Sequence, residues 1–185
     1  MGDIEMFEND IEYVLISEEK IKETVAELCA KINKDFFGKE TILLVILKGS
    51  LVFAADLMRG LEIPVTIDFM QVSSYGAGSK TSGEIKIKKD METNPLDKHI
   101  IIVEDIIDSG RTLSLLRANL EDRGAASVSI CARLTKPDRR EVEVRAEYVG
   151  MEIPDEFVVG YGLDFAEKYR NLPYIGVLKP IVYQD

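Results

Sequence analysis

The apolar residues of this chain follow two different patterns, and each pattern predicts a different kind of element. Short continuous apolar runs, such as residues 41–47, are typical of strands that are covered on both faces of a sheet. Other apolar residues recur at intervals of three or four, which indicates helices with one buried face. We expect helices over residues 17–37, 50–60 and 112–123. We expect strands over residues 11–16, 41–47, 65–72, 84–88, 99–103, 127–133, 145–151, 157–161 and 174–178.

The order of these elements predicts the fold class. Apolar strands that alternate with amphipathic helices favour an α/β domain with a mainly parallel, twisted sheet. Residues 65–72 and 84–88 alternate between apolar and polar positions, which predicts half-exposed antiparallel strands. Ligands of such sheets bind beyond the carboxyl ends of the strands, so the chemistry is expected there. The segments at that edge follow residues 47, 103, 134 and 161.

Composition and charge narrow the classes of function. Hydrophobic residues make up 46% of the 185 positions, which is enough for a core at this length. The 23 basic and 33 acidic residues give a net charge of −10, which disfavours nucleic acid as a partner. Cys29 and Cys131 lie in apolar runs and are expected to be buried thiols. No signal peptide and no apolar run of ~18 residues is visible, so we expect a cytoplasmic protein without a membrane partner.

The most informative motif is IIIVEDIIDSGRT, residues 100–112. A buried strand leads directly to Glu104 and Asp105, and adjacent carboxylates there need a cation or the hydroxyl groups of a ligand as partners. A helix begins shortly afterwards, and its unpaired backbone N–H groups can bind an anion of phosphomonoester size. The residues around this anion pocket are Asp108, Ser109, Gly110, Arg111 and Thr112. The alternative is a simple helix cap with solvated acids, which the acid pair after an apolar strand disfavours.

This stretch resembles the phosphoribosyl-pyrophosphate (PRPP) binding motif of the type I phosphoribosyltransferases. The resemblance implies that Glu104 and Asp105 hold the ribose hydroxyl groups, directly or through a metal ion. It also implies that Asp108 contacts a purine near N7 and accepts its proton. The residues implied to hold the 5-phosphate are Asp108, Ser109, Gly110, Arg111 and Thr112. Ser109 and Arg111 stand where Thr and Lys are common in the family, and they keep a hydroxyl group and a positive charge.

Two other segments resemble the same family. LKGS, residues 47–50, is similar to its pyrophosphate loop, which implies that Lys48 and Gly49 meet the pyrophosphate and that the Leu47–Lys48 peptide is cis. SSYGAGSKTSG, residues 73–83, is long for a hairpin loop and resembles the mobile lid of these enzymes. The lid residues implied by the resemblance are Ser74 and Tyr75. Without the resemblance, an ordinary strand-to-helix turn and a plain hairpin loop would explain these two segments.

The carboxyl-terminal half of the chain carries residues that the resemblance assigns to a purine. LTKPDRRE and FVVGYGLDFAEKYRN are similar to the corresponding strings of the hypoxanthine/guanine enzymes. Lys136 is implied to donate to the purine 6-oxo group, Phe157 to stack on the ring, and Val158 to offer backbone groups to its edge. Asp164 is implied to belong to the purine-binding set and to bind magnesium, directly or through water, and Arg170 is implied to reach the pyrophosphate. On composition alone, Lys136 would be a solvated lysine and Phe157 a core residue.

Taken together, these motifs imply a hypoxanthine/guanine phosphoribosyltransferase that works in purine salvage. It would convert PRPP and hypoxanthine or guanine to IMP or GMP and pyrophosphate, with Mg²⁺ as cofactor held by Glu104, Asp105 and Asp164. The resemblance further implies a homodimer or homotetramer and a single domain, with a core of about residues 38–155 and a small hood lobe from about 1–16 and 156–185. Two alternatives stay open, a regulator that binds a messenger RNA leader and a transferase for xanthine or a pyrimidine.

Overall fold

Helices and strands alternate along the chain, as the apolar pattern predicts. The computed structural model describes residue 7, residues 9–74 and residues 85–184. The helices are α1 (Glu18–Asp35), α2 (Leu51–Gly60), α3 (Arg111–Asp122) and the single turn α4 (Pro180–Tyr183). The strands are β1 (Ile11–Ile16), β2 (Thr41–Ile46), β3 (Val65–Ser74), β4 (Ile85–Lys89), β5 (His99–Ile107), β6 (Ser127–Thr135), β7 (Tyr148–Glu152), β8 (Val158–Val159) and β9 (Ile175–Leu178).

The larger sheet has six strands in the order β4-β3-β2-β5-β6-β7. Five of them run parallel, and only the β3–β4 pair is antiparallel. The predicted mainly parallel sheet is therefore confirmed. The predicted antiparallel pairing of β3 with β4 is confirmed, and β3 also pairs in parallel with β2. Its alternating sequence reflects a position near the edge of the sheet rather than a separate hairpin.

The two faces of this sheet are covered by different helices. α1 and α2 pack on one face, in a cluster with the odd-numbered positions of the central strands, such as Val45 and Val103. α3 packs on the other face against the even-numbered positions, such as Leu44 and Ile102. All of β2 is buried, which explains its continuous apolar run. α1 buries the predicted apolar face, consisting of Ile21, Val25, Leu28 and Ile32.

A second sheet joins segments from both ends of the chain. Its strand order is β1-β9-β8, and both pairs are antiparallel. Val158, Ile175 and Val177 from this sheet pack into the same apolar cluster as the strands of the larger sheet. Among the residues that the structure describes, no helix has the length and apolar character needed to cross a bilayer.

Most strands begin or end a few residues away from their predicted bounds, and the differences in β5 and β8 affect the site. β5 continues past the predicted end at residue 103 and includes the acid pair, because it stays paired with β6 as far as Ile107. β8 contains only two residues instead of the predicted 157–161. Its early end follows from Gly160 and Tyr161, whose φ angles of 99° and 47° turn the chain out of the sheet.

Candidate active site

Three segments meet where the parallel strands end. Gly49, between β2 and α2, packs against Asp105 so closely that a Cβ atom there would overlap the Asp105 carboxylate. Gly162, which follows β8, has a φ of 100° and lies against the Gly49 carbonyl, again leaving no space for a side chain. The Leu47–Lys48 peptide is cis, as the family resemblance implies. The loops predicted for pyrophosphate, ribose and magnesium are therefore in mutual contact.

The acid pair of β5 is held by its own backbone. Glu104 Oε1 accepts a hydrogen bond from the Asp105 N–H at 3.1 Å, and Asp105 Oδ1 accepts one from the Ile106 N–H at 2.6 Å. Burial, followed by the neighbouring Asp105 charge, raises the pKa of Glu104 well above its ordinary value. Hydroxyl donors or a cation bound at this place would stabilise the ionised form of the pair.

A cavity of about 240 Å³ lies beside the amino-terminal end of α3. Its walls include Glu104, Asp108, Ser109, Gly110 and Thr112, so the structure brings these predicted residues together. The backbone N–H groups at the start of a helix favour an anion in such a position. Arg111 belongs to the same turn, but its Nε donates to Glu141 Oε2 at 2.6 Å.

A second cavity, of about 130 Å³, adjoins the first. Its walls are formed by Ile106, Asp108, Lys136, Phe157, Val158 and Leu163. Asp108 is common to both cavities, and its Oδ1 lies 3.2 Å from Arg139 Nε. Lys136 Nζ donates to the Glu156 carbonyl at 2.7 Å and lies 3.4 Å from Asp155. The Phe157 ring is 38% exposed, and Tyr183 stacks on it with a centroid distance of 4.7 Å.

A network of charges beside Gly49 contains three further predicted residues, Lys48, Asp164 and Arg170. Arg170 Nη2 lies 2.8 Å from Asp164 Oδ1 and 3.3 Å from Glu167 Oε2. Lys48 Nζ lies 3.0 Å from the same Glu167 oxygen. The sequence reasoning did not include Glu167 or Arg139. Glu167 lies three residues before Arg170, and Arg139 lies three residues after Lys136. Their closeness to these predicted site residues was the signal for them.

Of the two predicted lid residues, the structure describes only the backbone of Ser74. Ser74 is the last residue of β3, where it pairs with Ile85 of β4. The side chain of Ser74 and the whole of Tyr75 lie outside the described residues. Their assignment to a lid stays a prediction, whereas the antiparallel pairing of the two strands next to it is confirmed.

The sequence reasoning also missed a buried arginine close to the acid pair. Arg133 of β6 is 0% exposed, and its Nη1 donates to the Tyr161 carbonyl. Its Nε and Nη2 have no hydrogen-bond partner among the described residues. Burial lowers the pKa of Arg133 to about 10, while the charges of Asp105 and Glu104 act in the opposite direction. A charged residue inside the apolar run VSICARL was the signal for it.

Comparison with known proteins adds independent evidence. A family model described as phosphoribosyl transferase domain matches residues 16–166. The hypoxanthine-guanine phosphoribosyltransferases of Streptococcus pneumoniae and Bacillus subtilis are 51% and 50% identical to this chain, in each case over 97% of the chain and 100% of the relative. The crystal structure of a hypoxanthine phosphoribosyltransferase from Staphylococcus aureus superposes with a TM-score of 0.94, at 45% identity and with full coverage of both chains. The order of motifs, the meeting of the two cavities at Asp108 and these similarities agree, and the chain belongs to the phosphoribosyltransferase family, in its hypoxanthine-guanine branch.

Proposed function

We propose that this protein transfers the 5-phosphoribosyl group from PRPP to N9 of hypoxanthine or guanine, forming IMP or GMP and pyrophosphate. The observation that carries the proposal is that Asp108 forms part of the wall of both cavities. A sugar phosphate in the first cavity and a purine in the second would meet beside this carboxylate. Relatives that share half of their residues with this chain carry the name of this reaction, which supports the same assignment.

The first cavity suits the ribose 5-phosphate. The ribose hydroxyl groups would donate to Glu104, which lines this cavity, and to the neighbouring Asp105, whose carboxylate lies against Gly49. The 5-phosphate would accept hydrogen bonds from the backbone N–H groups of residues 109–112 and from the hydroxyl groups of Ser109 and Thr112. In this arrangement Arg111 keeps its ion pair with Glu141 or exchanges it for the phosphate.

The second cavity suits a 6-oxopurine. Lys136 Nζ, which now donates to the Glu156 carbonyl, would donate to the 6-oxo group. Adenine has an amino group at that position, so two donors would face each other and the base would be rejected. Phe157 would stack on the ring, Val158 would contact its edge through the backbone, and Asp108 would accept the N7 proton as N9 attacks.

The charges beside Gly49 suit the pyrophosphate and a magnesium ion. Lys48 and Arg170 are now paired with carboxylates, and pyrophosphate oxygens would replace these partners. Glu104, Asp105 and Asp164 offer only oxygen ligands, which fits Mg²⁺. Within the described ranges no three acidic, thiol or imidazole side chains lie close enough together to hold a metal ion by themselves. In the proposed complex, substrate oxygens and water would be ligands of the ion as well. Bound Mg²⁺ would neutralise the charge of the departing pyrophosphate.

One assay tests the proposal and its alternatives. The purified protein is incubated with PRPP, magnesium chloride and, in turn, hypoxanthine, guanine, xanthine, adenine and uracil, and pyrophosphate release is followed. We expect release with hypoxanthine and guanine and its loss when a chelator removes magnesium. Preferential use of xanthine or uracil would assign the protein to another transferase, and inactivity with all five bases would contradict the proposal.

We also propose that the protein forms a homodimer or homotetramer. The proposal follows from the family resemblance. Phe37 and Ile181, with exposures of 82% and 86%, are the apolar side chains whose burial in an assembly can be checked first. Light scattering coupled to size-exclusion chromatography measures the mass directly. A particle with the 20.8 kDa mass of one chain would contradict this part of the proposal.

A further inference from the structure

A positive charge is buried on β6, the strand next to the acid pair. β5 and β6 run parallel, with Glu104 opposite Ala132. Val103 and Cys131 face α1 and α2, so the alternation of side chains places Asp105 and Arg133 at the next positions on that same face. Arg133 is completely buried there. Asp105 therefore shares a face of the sheet with a buried cation of the protein itself.

The guanidinium of Arg133 also fixes the turn that follows β8. Its Nη1 donates to the carbonyl of Tyr161, and its Cζ lies 4.9 Å from the centroid of the Tyr161 ring. The hydroxyl of the same tyrosine donates to Asp56 of α2 at 2.5 Å. Tyr161 is thus held on three sides, although its φ of 47° is unfavourable for a residue with a side chain.

This turn is the part of the chain that touches the pyrophosphate loop. Gly162, the residue after Tyr161, lies against the Gly49 carbonyl, and its own carbonyl accepts from Arg170 Nη1 at 2.8 Å. Gly49 in turn packs against Asp105. A displacement of Tyr161 would therefore reach the residues expected to hold the pyrophosphate and the ribose.

Stability alone does not account for a buried arginine of this kind. Two of its three side-chain nitrogens have no hydrogen-bond partner among the described residues, and a buried charge loses its hydration. Replacement of such a charge by a well-packed apolar side chain is often neutral or stabilising. An arginine kept in these surroundings is better explained by the groups that it positions.

We propose that Arg133 is a positioning residue for PRPP, which holds the turn at Tyr161 and Gly162 against the pyrophosphate loop and places a positive charge on the Asp105 face of the sheet. The proposal rests on the proposed function, because PRPP is the ligand whose site it completes. Leu163, which follows this turn, also lines the purine cavity, but its other walls, with Lys136 and Phe157 among them, lie outside the turn, so that cavity depends less on it.

The test compares Arg133→Met, which removes the charge and the donors, with Arg133→Lys, which keeps the charge and one donor. We expect Arg133→Met to raise the KM for PRPP about tenfold or more, and the KM for hypoxanthine by about twofold or less. Arg133→Lys should restore most of the loss. Cys131→Ala, at a buried neutral position on the same strand, is the matched control and should leave both KM values unchanged.

Calorimetric titration of each variant with PRPP and magnesium chloride gives a readout that does not depend on turnover. An unchanged affinity for PRPP in Arg133→Met, with only the melting temperature altered, would show a purely structural role and overturn the proposal. If Arg133→Met does not fold, Arg133→Gln replaces it, and a wild-type KM for PRPP in that neutral variant would overturn it equally. A wild-type protein inactive with every base would contradict the proposed function, while the PRPP titrations would still decide the role of Arg133.

Discussion

At the scale of single residues, the site depends on positions where a few atoms decide the geometry. Gly49 is the clearest case, because the Asp105 carboxylate occupies the place of a Cβ atom. In Gly49→Ala either Asp105 or the pyrophosphate loop has to move, and we expect kcat/KM for PRPP to fall about 100-fold, as for other misplaced catalytic groups. Steady-state kinetics measures the effect.

The matched control for that substitution is Gly38→Ala. Gly38 has a φ of 74° and open space where its Cβ would be, so the alanine should lower the free energy of unfolding by about 1–2 kcal/mol and leave the kinetics unchanged. Equal kinetic damage in both variants would show that the Gly49 effect is a general loss of stability.

Asp108 carries the second prediction at this scale. In Asp108→Asn the side chain keeps its size but loses its ability to accept the N7 proton, so kcat should fall about 10²–10⁴-fold. The affinity for PRPP, measured by calorimetry, should change little because asparagine keeps the shape of the turn and residues 109–112 still hold the phosphate. Asp138→Asn, an exposed carboxylate on the neighbouring turn, is the control. Full activity of Asp108→Asn would remove Asp108 from the catalytic role.

At the scale of elements, a buried carboxylate ties β3 to the segment that follows β4. Asp68 is 5% exposed and accepts from the N–H groups of Thr93 at 2.7 Å, Glu92 at 3.0 Å and Phe69 at 2.7 Å. Burial alone would raise the pKa of Asp68, but these donors together hold it below its ordinary value. The ionised carboxylate therefore stabilises the connection between the two strands.

A depressed pKa has a defined consequence for the pH dependence of stability. The contribution of Asp68 is fully present above the pKa of the unfolded chain, about 3.9, and is lost as the pH falls through the lower pKa of the folded state. Asp68→Asn should lower the free energy of unfolding by about 1–3 kcal/mol near neutral pH. As the pH falls below about 4, the free energy of unfolding of this variant should decrease less than that of the wild type. Urea denaturation across a pH series measures both, and parallel curves would contradict the prediction.

At the scale of the whole molecule, the two sheets share one apolar cluster. Leu43 and Val45 of the larger sheet are in the same cluster as Ile175 and Val177 of the smaller one. The larger sheet has a second cluster under α3, which contains Leu44, and the smaller sheet has a second one, which contains Leu178. Because both sheets also contribute to the shared cluster, we expect the predicted core and hood regions to unfold together. The division of the chain into a core and a hood remains a prediction.

Two core substitutions test this cooperativity. Leu44 in the larger sheet and Leu178 in the smaller sheet are both 0% exposed. Each Leu→Ala change should lower the free energy of unfolding by about 2–5 kcal/mol. Calorimetry should give a single transition for both variants, shifted to lower temperature. An early separate transition in Leu178→Ala alone would show that the smaller sheet unfolds independently.

The sequence by itself predicts the elements and the phosphate motif because both depend on neighbouring residues. The apolar run of β2 and the spacing of Ile21, Val25 and Leu28 report burial locally. The acids and the phosphate turn lie within thirteen consecutive residues, so one strand and one helix end bring them together. The extent of β5 was predicted less well, because its last residues are held only by pairing with β6.

The tertiary structure decided which distant groups face one another. Glu167 beside Lys48, Arg139 beside Asp108 and Arg133 beneath the Tyr161 carbonyl are contacts between segments that are 28 or more residues apart. No local pattern encodes such partners, since they depend on the order of strands in the sheet and on the turn after β8. A charge in an apolar strand indicated only that Arg133 needs a partner, and folding determined that this partner lies at the candidate active site.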